Sequence, residues 1–265
     1  MKRLRIGEIT YANLFPIFYR LRKSAASAGY EFVQAPPSAL NRMIREGGID
    51  VSPSSSIEYL RNADRYRLIE NHSISATGRI RSIVLFSRRP IGELEDRTVL
   101  TTSQSETSVA LLKIVLRKFY GLSCRYESFS SGLADALGRE EAYLSIGDEA
   151  LIAHGSGQGG EFRYDLGEIW YERTGLPFTY ALWILRKECC ADDPLLLVEL
   201  TDALDQAKVS ALADLEAVAA ASPLREVMPA SDLVAYWRGI DYDFTETHKR
   251  GFDLFGDYCR ELGLL

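Results

Sequence analysis

Residues 50–60 read DVSPSSSIEYL: a short β-prone run, a proline, three consecutive serines, then apolar residues at helical spacing. A strand that stops at a hydroxyl-rich turn and restarts as a helix is the unit from which α/β folds are built. The pattern recurs on both sides. QAPPSALN (34–41) follows the strand candidate EFVQA (31–35), and VLTTSQSETSVALL (99–112) carries strand, Ser/Thr turn and helix in succession. Further strands are expected in RLRIGEI (3–9), IDVS (49–52), YRLIE (66–70), RSIVLFSR (81–88) and RTVLTT (97–102). Others fall around 124–127, at the start of AYLSIGDEALIAH, and over FTYALWILR (178–186). The intervening FPIFYRLRKSAAS, SALNRMIREG, SIEYLRNAD and SVALLKIVLRKFYG show helical spacing of apolar residues.

This alternation predicts an α/β protein of two lobes. SRRPIGELEDR (87–97), punctuated by Pro90 and Gly92, reads as a polar crossover, and a second crossover is expected near 177–186. The expected division is residues 1–88 plus 184–265 in lobe I and 89–183 in lobe II, with a ligand cleft between lobes where strand-to-helix loops face each other. Beyond it the chain turns helical. An Ala- and Leu-rich run over 192–222 breaks at Pro223, and two more helices follow, SDLVAYWRGI and about 244–262. This helical part reads as packing rather than chemistry.

Composition narrows the function classes. The 265 residues are 46% apolar and 26% charged, ordinary for a globular protein. A net charge of −6 and a pI near 5.3 supply no basic field for nucleic acid or an anionic membrane. No run approaches the roughly 18 apolar residues of a membrane span. The N-terminal MKRLRIGEITYANLFP has no long apolar core or small-residue cleavage site, so a cytoplasmic protein is expected. Cys124, Cys189, Cys190 and Cys259 form no CxxC and are expected as thiols. His72, His154 and His248 lack metal-ligand spacing, so neither a metal nor a cofactor is expected. No GxSxG elbow marks a hydrolase triad. GSGQGG (155–160) follows a helix and lacks the Walker Lys-Ser/Thr, so it reads as a loop. Trp170, Tyr171, Phe178, Tyr180 and Trp183 read as core.

The candidate binding residues sit at the junctions. Ser38, Ser54, Ser55, Ser56, Ser105, Thr107 and Ser108 offer hydroxyls beside helix N-termini, where backbone N–H groups and the helix dipole favour an anion. As caps alone the same residues would satisfy those N–H groups. In GEITYANLFPIFY (7–19), Tyr11 and Asn13 stand where a strand hands over to a helix. In NHSISATGRIRSIVLF (71–86), read as a hairpin, strand alternation puts Ser82 on the apolar side with Ile80 and Val84, opposite Arg79 and Arg81. Asp148 of LSIGDEALIAH reads as a helix N-cap, with a ligand-facing carboxylate as the alternative. Together these hydroxyls predict a small, oxygen-rich, carboxylated ligand.

RIGEITYANLFP, PPSALNRMIREGGIDVSPSSSIEYL, SISATGRIRSIVLFS, TSQSETSVALLK, LSIGDEAL and DLGEIWYERTGLPFTYALW, in this order over residues 3–183, resemble the menaquinone-biosynthesis family of chorismate dehydratases, which open the futalosine route. The resemblance implies a two-lobed type II periplasmic-binding-protein-like fold and elimination of water from chorismate to give 3-[(1-carboxyvinyl)oxy]benzoate. It points to Asn13 and Ser82 as the polar pair nearest the reacting ring, with the Ser-rich turns on the substrate carboxylates and Tyr11 and Asp148 in support. It implies no cofactor. Ala12 stands where the family commonly has Leu, and Ser54 where an aliphatic is common. The sister enzyme, dihydroxynaphthoate synthase, shares the fold, but its usual SPCPNDTF-like N-terminal stretch is absent. A cytosolic binding protein for a small carboxylate is the remaining alternative. The sequence carries no signal for oligomeric state.

Overall fold

A computed structural model describes residues 3–193 and 195–265. Ten strands alternate with helices. The strands are β1 (Leu4–Glu8), β2 (Tyr30–Gln34), β3 (Val51–Ser55), β4 (Tyr66–Ala76), β5 (Ile83–Ser87), β6 (Thr98–Thr102), β7 (Arg125–Phe129), β8 (Ala142–Ile146), β9 (Phe162–Asp165) and β10 (Phe178–Arg186). They form two five-stranded sheets, ordered β2-β1-β3-β10-β4 and β7-β6-β8-β5-β9. In each sheet parallel strands sit beside antiparallel ones: β10 runs against β3, and β5 runs against both β8 and β9.

The chain divides into two compact units, one running through Ser75 and over Thr179–Thr245, the other comprising Ala76–Phe178 and Glu246–Leu265. The crossings therefore fall at 75/76, 178/179 and 245/246, not at 88/89 and 183/184. Residues 71–86 are not a hairpin either. β4 belongs to the first sheet and β5 to the second, because β5 pairs along its whole length with β8 from Ile83↔Ile146 to Ser87↔Ala142. The crossover is thus the short link 77–82, and the Pro90–Gly92 segment joins β5 to β6 within one sheet while burying Ile91 and Leu94. β9, FRYD, is only four residues long, too short to show a strand pattern in the sequence.

In the first unit the helices before β4 are α1 (Phe15–Lys23), α2 (Pro37–Glu46) and α3 (Ser56–Asn62). Those between β5 and β10 are α4 (Glu106–Ile114), α5 (Leu133–Arg139), α6 (Gly147–Ser156) and α7 (Leu166–Thr174). After β10 come α8 (Lys187–Asp192), α9 (Leu196–Ala213), α10 (Leu215–Ala221), α11 (Ala230–Trp237) and α12 (Glu246–Glu261). The long Ala/Leu run breaks at Asp214, ahead of Pro223, because Asp214 leaves helical geometry (φ −149, ψ 67) and its carboxylate accepts the Ala217 N–H to cap α10. α1 buries Pro16, Ile17, Phe18 and Leu21 and packs on α9. α12 packs in the second unit, where Phe255 meets Phe178 edge-on at 4.9 Å and Trp170 meets both edge-on. Of the five aromatics expected in the core, Tyr171 is the exception at 41% exposure, since it lies on the outer face of α7. All four cysteines are thiols. Among the described residues, no helix is long and apolar enough to cross a membrane.

Candidate functional site

In the first unit the turn after β1 is built from backbone bonds: Leu14 N–H donates to the Tyr11 carbonyl and Phe15 N–H to that of Ala12, each at 3.2 Å. Pro16 at the start of α1 has no N–H to leave unpaired. The turn holds Asn13 with its side-chain Oδ1 buried and without a hydrogen-bond partner. A buried acceptor left without a partner costs about 1–3 kcal/mol. β1 pairs with β3 at Ile6↔Val51, and carrying that register forward three residues sets Ser54 beside Ile9. Ser54 Oγ is likewise buried without a partner.

The neighbouring serines are differently employed. Ser55 caps α3, accepting from Glu58 N–H, and also accepts from Asn41 Nδ2 at 2.8 Å. Ser56 donates to the Thr179 carbonyl at 2.6 Å. Ser73, Ser75 and Thr179 extend the hydroxyl chain, with Ser73–Ser75 at 2.8 Å and Ser75–Thr179 at 2.9 Å. Ser38 sits in the first turn of α2, behind a proline N-cap. Tyr11 is half-buried beside Asn13.

In the second unit a single sheet edge collects the remaining candidates. The Gly147 N–H donates to the Ser82 carbonyl at 2.8 Å, and Thr101↔Leu144 brings the end of β6 alongside the end of β8. Ser82, Asp148 and the Ser105–Ser108 turn therefore share that edge, where α4, α6 and α7 all begin. The helix N-termini there supply positive potential. Ser105 caps α4, accepting from Ser108 N–H at 3.2 Å, while Thr107 and Ser108 are buried. Asp148 is not the cap expected of it: Ile146 holds the cap position of α6, so Asp148 lies within the first turn. Its neighbour Glu149 instead ties the helix down, accepting from Ser145 Oγ at 2.6 Å and Leu133 N–H at 2.8 Å.

Ser82 follows a bent link held by one carboxylate. Asp165, 3% exposed, accepts from the N–H groups of Ile80, Arg81, Gly167 and Glu168 at 2.6–3.2 Å. Burial pushes its carboxyl above the ordinary range, and those four donors oppose the shift. The clamp holds Arg81 at φ 63, a conformation a non-glycine residue rarely adopts. The DLGE motif (165–168) was a legible cap signal; its reach to residues 80 and 81 was not. Trp237 and Tyr242, which bond to the Asn13 turn, carried no signal at all. Among the described residues, no group of three His, Cys, Asp or Glu side chains is arranged to hold a metal ion.

The first unit holds a further buried titratable group. His72 is buried in β4, with Nε2 3.1 Å from Asp205 Oδ1. Burial, reinforced by the Lys208 charge, pushes its pKa down to about 4, against the pull of Asp205. The unfolded chain, with an ordinary histidine pKa of about 6.5, then binds the proton more tightly than the folded one. Stability is full above that value and falls as pH drops towards 4, by about 2 kcal/mol between pH 7 and pH 5. Urea titrations across this range are expected to show the slope, and His72→Gln to flatten it; an unchanged slope refutes the assignment.

Two α/β units, each with strand-to-helix turns gathered at a sheet edge, define a protein of the periplasmic-binding-protein fold. The periplasmic aliphatic sulphonate binding protein SsuA of Escherichia coli superposes with a TM-score of 0.69 over 100% of this chain and 89% of that one, at 15% identity. Within that fold the chain belongs to the menaquinone biosynthesis family, whose model matches residues 4–261. The chorismate dehydratase of Thermus thermophilus is 32% identical over 97% of this chain and 95% of its own length. A second protein of that organism, a 1,4-dihydroxy-6-naphtoate synthase, is 29% identical over 71% of this chain and 68% of its own.

Proposed function

We propose that this chain is a chorismate dehydratase, a hydro-lyase of menaquinone biosynthesis that converts chorismate to 3-[(1-carboxyvinyl)oxy]benzoate and water. The carrying observation is the relationship to a chorismate dehydratase across nearly the full length of both chains. The shorter span shared with the naphthoate synthase favours the dehydratase over its sister.

Chorismate is a dianion with a cyclohexadiene ring, a hydroxyl at C4 and an enolpyruvyl ether at C3. Elimination removes the C3 proton and the C4 hydroxyl, and the electron pair of the C3–H bond becomes part of the aromatic ring. The diene and ring carboxylate delocalise the developing charge, and aromatisation drives hydroxide out as water once the abstracted proton joins it. The protein's task is to orient the ring and place polar groups where charge develops. The unpartnered acceptor of Asn13 matches the substrate's C4 hydroxyl, its one good hydrogen-bond donor. In this reading Asn13 and Ser82 set the pose, and the Asn13 amide N–H and the Ser82 hydroxyl are the donors that assist departure of the hydroxyl. The substrate's side-chain carboxylate takes the C3 proton. The Ser-rich turns, with Ser54, Ser55, Ser56, Ser105, Thr107 and Ser108, take the two carboxylates, with Tyr11 and Asp148 in support. Four thiols suit a reducing compartment, and the same reading assigns the protein to the cytosol and the futalosine route.

The test is to incubate purified protein with chorismate and follow the aromatic product by liquid chromatography and mass spectrometry. Stoichiometric conversion is expected. Binding without conversion makes the protein a carboxylate binder, and turnover of a cyclic dehypoxanthine futalosine in its place makes it the sister synthase; either overturns the proposal.

A further inference from the structure

Asn13 sits between two peptide groups whose carbonyls are both held from the far end of the chain. Trp237 Nε1–H donates to the Ala12 carbonyl at 2.7 Å, and the Tyr242 hydroxyl donates to the Asn13 carbonyl at 2.8 Å. Both donors are buried, and Trp237 also stacks on Phe15, the first residue of α1, at 6.2 Å. The segment that carries Tyr242 is itself anchored. Ser73 N–H donates to the Tyr242 carbonyl at 3.0 Å, and residues 75 and 241 exchange N–H···O bonds at 2.9 and 2.8 Å. Ser73 Oγ holds the Asp243 carbonyl at 2.6 Å, and Lys208 Nζ holds the Asp243 carboxylate at 2.8 Å. The Tyr242 hydroxyl therefore projects from a backbone fixed on both sides. Burial raises its pKa well above the ordinary tyrosine value, so it stays a donor at every pH at which the protein works.

We infer that Tyr242, with Trp237, is a positioning residue for the reaction: its hydroxyl fixes the Asn13 peptide and so aims the Asn13 side chain. The inference rests on the role proposed for Asn13. It assigns the region after β10 a share in the chemistry, beyond the packing expected from its sequence. A stability role alone fits poorly, because two separate long-range donors converge on consecutive carbonyls of one turn, next to a side-chain acceptor that has no partner of its own. Holding a catalytic side chain to within about 0.5 Å is what such supporting bonds do for turnover.

The experiment is Tyr242→Phe, which keeps the ring and removes one hydroxyl, measured in the wild-type and Asn13→Ala backgrounds by steady-state kinetics. We expect kcat to fall about tenfold with KM within twofold, and Tyr242→Phe to change the rate less than twofold once Asn13 is alanine. Trp237→Phe, read in the same way, stands in if Tyr242→Phe does not fold. Unaltered kcat in the single variant, or the same loss in both backgrounds, overturns the positioning role. A wild-type protein inert towards chorismate overturns the proposed activity instead, so the two failures are distinct.

Discussion

Asn13→Ala is expected to lower kcat on chorismate by about 100- to 1000-fold, the scale seen when one preorganised polar group is removed from the reacting centre. The melting temperature of the same variant is expected to stay level or rise. Its Oδ1 is buried without a partner, so the folded protein bears a desolvation penalty that the truncation relieves. Activity and stability then move in opposite directions, as they do where a site is maintained at the expense of the fold. Steady-state kinetics beside thermal melts decide the matter. Near-normal turnover removes Asn13 from the site, and lost turnover accompanied by a collapsed melt reduces it to a structural residue.

The second large effect concerns α12 and is purely one of stability. Gly251 lies on the face of α12 that meets the Pro177 carbonyl, and an added Cβ would overlap that oxygen. The obstacle is backbone, which cannot swing aside as a flexible side chain does. Gly251→Ala is therefore expected to cost about 3 kcal/mol or more, despite alanine's better helix propensity. For a chain of this size that is a fall of roughly 10 °C in melting temperature. Differential scanning calorimetry checks it. A neutral or stabilising result would mean that α12 packs at another depth against the Leu176–Pro177 segment. Because α12 seats Phe255 against Phe178 and Trp170, the loss should also appear as increased tryptophan exposure.

What the sequence determined by itself is local. A strand that ends in Ser-Pro-Ser-Ser-Ser and restarts with helical spacing has one low-energy reading, so the α/β alternation, most strand positions and the hydroxyl-rich junctions were legible from neighbouring residues. The ordered set of such junctions also carried the family. Asn13, Ser54 and Ser82 could be singled out as polar residues at strand ends, although which hydroxyls would be used up as caps could not: Ser55 and Ser105 hold their own helices, and Asp148 yields the cap position to Ile146. Only the tertiary structure decided the rest. Which sheet β5 joins depends on its pairing with β8 and β9, partners some 60 to 80 residues away, so the crossover moved from 87–97 to 77–82. That α12 packs with α7 and the start of β10 depends on which aromatic faces meet in space. That Trp237 and Tyr242 grip the Asn13 turn from 225 and 229 residues away depends on hydrogen bonds that no local periodicity encodes. Propensity and spacing act over a few residues, whereas the bonds that aim the proposed catalytic side chain close only when distant segments are brought together.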